Sequence, residues 1–279
     1  MRLALRAPVM VASGCGGTGR ELAPYAELDG LPFVTRTLTR DPRAGAPAPR
    51  LVESPSGLLN AIGLHNPGLP AFLDDELPWL VRAGAQVFVS IAGGSLGEFA
   101  DLARALSRVP GVAGVEVNLS VPDPVVAGVF DAREPFHAGS VIAAVRRELA
   151  SDLPVLAKLR PDVARVAETA RAVGDAGATA VVLGNAVPAA MPDGRPAGLS
   201  GPAIRPIALR CVREVARLLP ELGIIGAGGV RTADDAREYL AAGAVAVQVG
   251  TALLHDPTTV TRLIHDLSHD QIHDPQERP

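Results

Sequence analysis

The sequence predicts a single-domain α/β fold, a closed (β/α)8 TIM barrel, on three observations. Eight short apolar runs rich in Val and Ile recur along the chain, and stretches rich in Ala, Arg and Glu with helical spacing separate the later ones. The length of 279 residues is close to the roughly 250 of one such barrel. Runs this apolar suit strands buried on both faces, as a parallel sheet requires. A doubly wound open sheet is the structural alternative. The spacing G-x-G-x-x-G does follow the first run, at 14–19, but it opens no stretch with helical spacing, which counts against the dinucleotide-binding version of that fold.

In chain order the strand runs are residues 9–13, 33–36, 87–91, 115–120, 155–159, 180–185, 224–228 and 245–250. Helices are expected at 96–108, 138–150, 163–176, 204–219 and 233–242. Thr232 precedes a first turn holding Asp234 and Asp235, the pattern of a helix N-cap, and Asp162 stands in the same place after Pro161. Gly177 and Gly243 sit where helices end. Residues 40–57, with Pro47, Pro49 and Pro55, read as a long loop. The barrel is expected over 1–265, followed by a polar, frayed tail over 266–279. No repeat and no linker divides the chain.

Composition narrows the function classes. Lys plus Arg number 26 against 30 Asp plus Glu, a net charge of −4, and aromatics are only 3% of the chain. Such a balance offers no electrostatic footprint for nucleic acid and few rings to stack bases on. Two cysteines, Cys15 and Cys211, cannot build a disulfide framework or a Cys-rich zinc site, which fits a reducing cytoplasm. No metal centre is expected. Neither a signal peptide nor a membrane span is legible. A cytoplasmic enzyme or small-molecule binder is the expectation.

In such a barrel the polar residues that end the strands converge on one mouth. Here they are Ser13, Arg36, Thr37, Ser90, Asn118, Ser120, Lys158, Asn185, the Gly228–Gly229 pair and Gly250–Thr251. The last two loops follow the seventh and eighth strands, the usual phosphate site of this architecture, and their glycines expose backbone N–H groups. Lys158 lies in an otherwise apolar run, where an ammonium is costly unless it meets an anion or an electron-rich ring. With a phosphate site beside it, that lysine suggests a flavin, whose reduced edge becomes anionic. A second Gly-rich stretch, 54–68, mixes amide side chains with exposed backbone and suits a planar polar ligand, or a plain surface loop.

These residues carry a resemblance to the class 1 dihydroorotate dehydrogenases, FMN-dependent barrels of pyrimidine biosynthesis, with class 1B the most similar. The matching segments are LLNAIGLHNPG at 58–68, VEVNLSVP at 115–122, AKL at 157–159, GLSGPA at 198–203, IGAGGV at 225–230 and VGT at 249–251. The resemblance implies that Ala12, Ser13 and Gly14 line FMN and that Lys158 stands by its reducible edge. It implies too that Gly201, Gly228, Gly229, Gly250 and Thr251 hold ring and phosphate. Arg36, where the family usually has a lysine, Thr37 and Asn118 complete the cofactor set. Asn60, Gly63, Leu64, Asn118 and Asn185 would cage the substrate, dihydroorotate or a related cyclic amide. A homodimer is implied, and class 1B members pair with an iron–sulfur flavoprotein subunit that passes electrons on.

The chain departs from the family at the substrate. The family's base, a Cys or Ser after Asn-x-Ser, is replaced by Val121, which has no proton to exchange. Asp123 replaces an Asn, and Ala186 a Thr or Ser. His65, beside the recognition loop, is the preferred substitute base, with Asp123 next if burial raises its pKa, and His137, in an extended segment after Phe130, third. Ser120 is one position off, and Cys15 reads as a buried thiol. Two functions follow: a flavin oxidoreductase moving a hydride between N5 and a ring C–C bond, or a catalytically silent paralogue serving as subunit or regulator.

Overall fold

The computed structural model describes residues 3–120 and 128–270. Among these, twelve strands form, numbered β1–β12 in chain order. Eight close a parallel barrel: β1 (Val9–Val11), β2 (Pro32–Val34), β5 (Gln86–Ile91), β6 (Val112–Asn118), β7 (Val155–Leu159), β8 (Ala180–Leu183), β11 (Gly223–Ala227) and β12 (Ala246–Val249). Every expected run overlaps one of them, so the closed barrel holds and the open sheet does not. Pairing of β1 with both β2 and β12 completes the ring.

The period-two alternation of strands explains how each run can be apolar throughout. Val9, Val11, Val115, Val117, Val247 and Val249 face outward into the core shared with the helices. Met10, Val34, Phe88, Leu156, Val182 and Ile225 face inward and fill the barrel. Helices Leu96–Leu106, Pro135–Glu148, Val166–Asp175, Arg205–Leu218 and Ala233–Ala241 cover the outside close to the expected bounds. A further helix, Thr259–Asp270, packs on β1, so the chain stays helical five residues past 265. His137, expected in an extended segment, lies in the helix Pro135–Glu148 with its ring against Phe130. Pro135 starts that helix, a position where a missing N–H costs nothing.

Thr232 caps its helix as expected. Its hydroxyl accepts from Asp235 N, and the Asp235 carboxylate accepts from Thr232 N, a reciprocal box that satisfies two orphan donors. Thr232→Ala is expected to lower stability by about 1 kcal/mol, seen as a lower urea midpoint. An unchanged midpoint would show that the box contributes nothing. Asp162 acts one turn earlier than expected: Arg165 is the N-cap, while the Asp162 carboxylate accepts from Ala164 N and its carbonyl from Val166 N.

Two parts of the fold differ from expectation. The crossover from β2 to β5 is helical, running through Leu69–Ala71, a π turn at Phe72–Glu76 and Leu77–Arg82. Pro70 falls in the first turn of this crossover, where proline is tolerated, and Pro78 follows directly on the π turn. The stretch 40–57 is also not all loop. β3 (Leu51–Ser54) and β4 (Gly57–Asn60) form a hairpin, and β9 (Val187–Ala190) and β10 (Pro196–Ser200) another. They join as a four-stranded antiparallel sheet in the order β3-β4-β10-β9, with Gly198 opposite Asn60. This sheet brings Leu51, Asn60 and Ser200 to the barrel mouth.

Candidate active site

A cavity of about 810 Å³ occupies the barrel mouth beneath that sheet. Its wall contains Ala12, Ser13 and Gly14 after β1, Lys158 from β7 and Asn185 after β8. Gly201, the Gly228–Gly229 pair, Gly250 and Thr251 line it, as does Asn60 from the accessory sheet. The glycine loops are built for close backbone approach. At Gly229 a Cβ would lie 2.7 Å from Arg205 Cβ and 3.0 Å from Gly201 O, with φ at +71°. Gly201, at φ +91°, packs within 3.1 Å of Gly57 Cα by the same measure. Side chains at either position would push the loops apart, so the wall there is backbone, suited to an anionic or planar ligand. Ser200 and Thr251 are tied across the cavity rim, Thr251 Oγ1 donating to Ser200 Oγ at 2.8 Å.

Lys158 is the one lysine of the 279-residue chain. It is 5% exposed, and its Nζ donates to Gln248 Oε1 at 2.7 Å. Gln248 Nε2 donates to Glu116 Oε2 at 2.6 Å, and Glu116 Oε1 lies 3.6 Å from Lys158 Nζ. These three side chains come from β7, β12 and β6 and form a polar layer above the apolar filling of the barrel. Lys158 and Gln248 reach the cavity, whereas Glu116 is fully buried. Glu116 and Gln248 were not expected at the site. The signal was available: alternation puts Glu116 and Asn118 on one face of β6, opposite Val115 and Val117, and a charged residue there has to point into the barrel.

A second chain of hydrogen bonds lies beside it. Thr37 Oγ1 is 3.3 Å from Ser13 Oγ and 3.0 Å from Ser90 Oγ, and accepts from Asn118 Nδ2 at 3.1 Å. Ser120 Oγ donates to Asn118 Oδ1, and Asn185 Nδ2 donates to Ser120 Oγ at 2.5 Å. Thr37, Asn118 and Ser120 are therefore buried behind the wall and meet the cavity through Ser13 and Asn185. Ser120 faces this network, as its offset from position 121 implies. Asn60 Nδ2 donates to Gly198 O at 3.0 Å and stitches the two hairpins together.

Several expected residues stand elsewhere. His65 is exposed and outside the cavity wall, on a loop whose neighbour Asn66 is buried and bonds Thr39, Leu64 and Gly68. This placement leaves His65 outside the group of residues that line the cavity. Gly63 and Leu64 belong to the same loop, Leu64 at φ +55°, and Ile62 rather than either of them lines the cavity. Arg36 is also outside the wall. Its Nε is buried without a hydrogen-bond partner among the described residues, and its charge acts on Glu76. Burial raises the Glu76 carboxyl and Arg36 opposes that rise. His137 is exposed on its helix. Val121 and Asp123 lie outside the described residues. Cys15 does line the cavity, but burial pushes its thiol up to about 11 against the opposing charge of Lys158. It keeps its proton at neutral pH and is no thiolate base.

Among the described residues no helix is long and apolar enough to cross a membrane. A family model described as dihydroorotate dehydrogenase matches residues 1–270. Several similar proteins carry the name dihydroorotate dehydrogenase B (NAD(+)), catalytic subunit. That of Desulforudis audaxviator is 45% identical over 275 residues, covering 95% of this chain and 89% of the relative. The protein of Pelobacter propionicus is 44% identical over 266 residues, 92% of this chain and 86% of the relative. The one from Geobacillus kaustophilus is 40% identical over 275 residues, 95% and 87% of the two chains. With its barrel closed, its glycine loops at the mouth and its whole described length matched, the chain belongs to the dihydroorotate dehydrogenase family, oxidoreductases acting on a ring CH–CH bond.

Proposed function

We propose that the cavity holds FMN and that the chain moves a hydride between flavin N5 and a ring C–C bond of dihydroorotate or a related cyclic amide. One observation carries this reading: the single lysine of the chain and the side-chain-free loops at Gly201, Gly228, Gly229 and Gly250 open on one cavity. Backbone N–H groups at the 228–229 and 250–251 loops would take the phosphate, and Ala12, Ser13 and Gly14 would flank the ring. When bound, FMN supplies the hydride-accepting centre. Lys158 supplies fixed positive charge where negative charge develops. Asn60 and Asn185, already anchored by Gly198 O and by Ser120 and Ala186, present amides held in place for a cyclic amide.

The relatives' name, catalytic subunit, supports an electron-transfer partner, and we assign that part to an iron–sulfur flavoprotein acting on a homodimer of this chain. Localisation in the cytoplasm accords with that reading. Purified protein mixed with FMN is expected to turn yellow with one flavin per chain, by absorbance after gel filtration. A protein that stays colourless overturns the proposal.

A further inference from the structure

The buried polar layer of the barrel carries a consequence for Lys158. An ammonium only donates hydrogen bonds and a carboxylate only accepts them, but an amide does both. Gln248 lies between the two and can satisfy both in one orientation only: Nε2 toward Glu116, at 2.6 Å, and Oε1 toward Lys158, at 2.7 Å. The direct Lys158–Glu116 separation of 3.6 Å is too long for a hydrogen bond. Glu116 Oε1 accordingly has no hydrogen-bond partner among the described residues although it is buried. Gln248 thus keeps the ammonium from closing onto the carboxylate. Lys158 retains its counter-charge and still reaches the cavity wall.

We infer that Glu116 is a positioning residue for Lys158: it fixes the amide of Gln248, and Gln248 holds the ammonium at the cavity wall. The inference rests on the flavin reading of the cavity for its main test and on the apoprotein for a second one. Glu116→Gln removes the compensating charge behind Lys158, so the site sees more positive charge and favours the reduced, anionic form of the flavin. Gln248→Met removes the spacer at similar volume, so the ammonium closes onto Glu116 and withdraws from the cavity. The two variants act in opposite directions. General loosening of the barrel would weaken both oxidation states of the flavin together and leave their ratio unchanged.

The experiment measures the two-electron potential of FMN in the native protein and in both variants by anaerobic dye equilibration. Glu116→Gln is expected to raise the preference for reduced over oxidised flavin about tenfold, roughly +30 mV, and Gln248→Met to lower it by a similar factor. Shifts of the same sign in both, or below twofold in both, overturn the inference while leaving the flavin reading intact. Should Glu116→Gln fail to fold, Gln248→Met decides alone, and an unchanged potential overturns the inference. A native protein that takes up no FMN fails the flavin reading instead. In that case labelling of the apoprotein by trinitrobenzenesulfonate decides, read at Lys158 by peptide mass spectrometry so that the α-amine of the chain does not count, Lys158 being the one lysine. Labelling at least fivefold slower in Gln248→Met supports the positioning role, and an equal rate overturns it.

Discussion

Lys158→Met is expected to destabilise the apoprotein by about 3–5 kcal/mol, the range for removing one partner of a buried ion pair. Methionine is unbranched and only one atom shorter than lysine, so it fills most of the buried volume of Lys158 and little packing is lost. The cost lies in Glu116. Its carboxylate is fully buried, and without Lys158 it keeps one hydrogen bond, from Gln248 Nε2, and no opposite charge within 4 Å among the described residues. Adding Glu116→Gln to the lysine variant removes the stranded charge and lets two amides pair in its place, so the double variant should regain most of the loss. The measurement is urea unfolding of the native protein, both single variants and the double, read as a double-mutant cycle. A lysine variant within 1 kcal/mol of native, or a double variant no better than the single, would show that water in the cavity already screens the carboxylate.

The same layer shows how far the chain could be read before its structure. The barrel was legible because each strand is a short Val- and Ile-rich run ended by a polar residue or glycine, and both of its faces are buried. Reading those runs as uniformly apolar concealed their alternation. Glu116 and Gln248 sat in plain view within VEVN and VQV, and their inward direction follows from period two alone. The accessory sheet was harder. β3 alternates exposed and half-buried residues and β9 does likewise, and neither buries a full apolar face. What holds the sheet is pairing between β4 and β10, whose residues Asn60 and Gly198 are 138 positions apart. Local propensity carries no trace of such a contact. The mouth residues split on the same line. Glycines at strand ends were placed by the barrel itself, whereas Gly63, Leu64 and His65 depend on how a long loop folds back, and Asn66 anchors that loop away from the cavity wall.

Val121→Cys is expected to raise the rate of flavin reduction by dihydroorotate about 10²–10⁴-fold, the usual contribution of a positioned general base. The expectation rests on which groups can take a proton at this site. Valine has none to exchange at position 121. Cys15 is in the cavity wall but holds its proton near neutrality, and Ser120 is already engaged with Asn118 and Asn185. His65 is exposed and away from the wall. Without a base, hydride loss from the ring must wait on solvent to accept the accompanying proton, and the native protein should bleach slowly with dihydroorotate under anaerobic stopped flow. Lys158 and the glycine loops are untouched by the substitution, so FMN content should match the native protein. That separates a restored proton acceptor from a repaired cofactor site. Two results would redirect the reading. Rapid bleaching of the native protein means that a group in this barrel already serves as base, with dihydroorotate the substrate despite Val121. Slow bleaching of both proteins, with FMN fully bound, means that Asp123 and Ala186 have changed the substrate, or that the chain is a silent flavin-binding paralogue. A screen of cyclic amides for flavin reduction then separates those two, since any amide turned over at an ordinary rate excludes the silent paralogue.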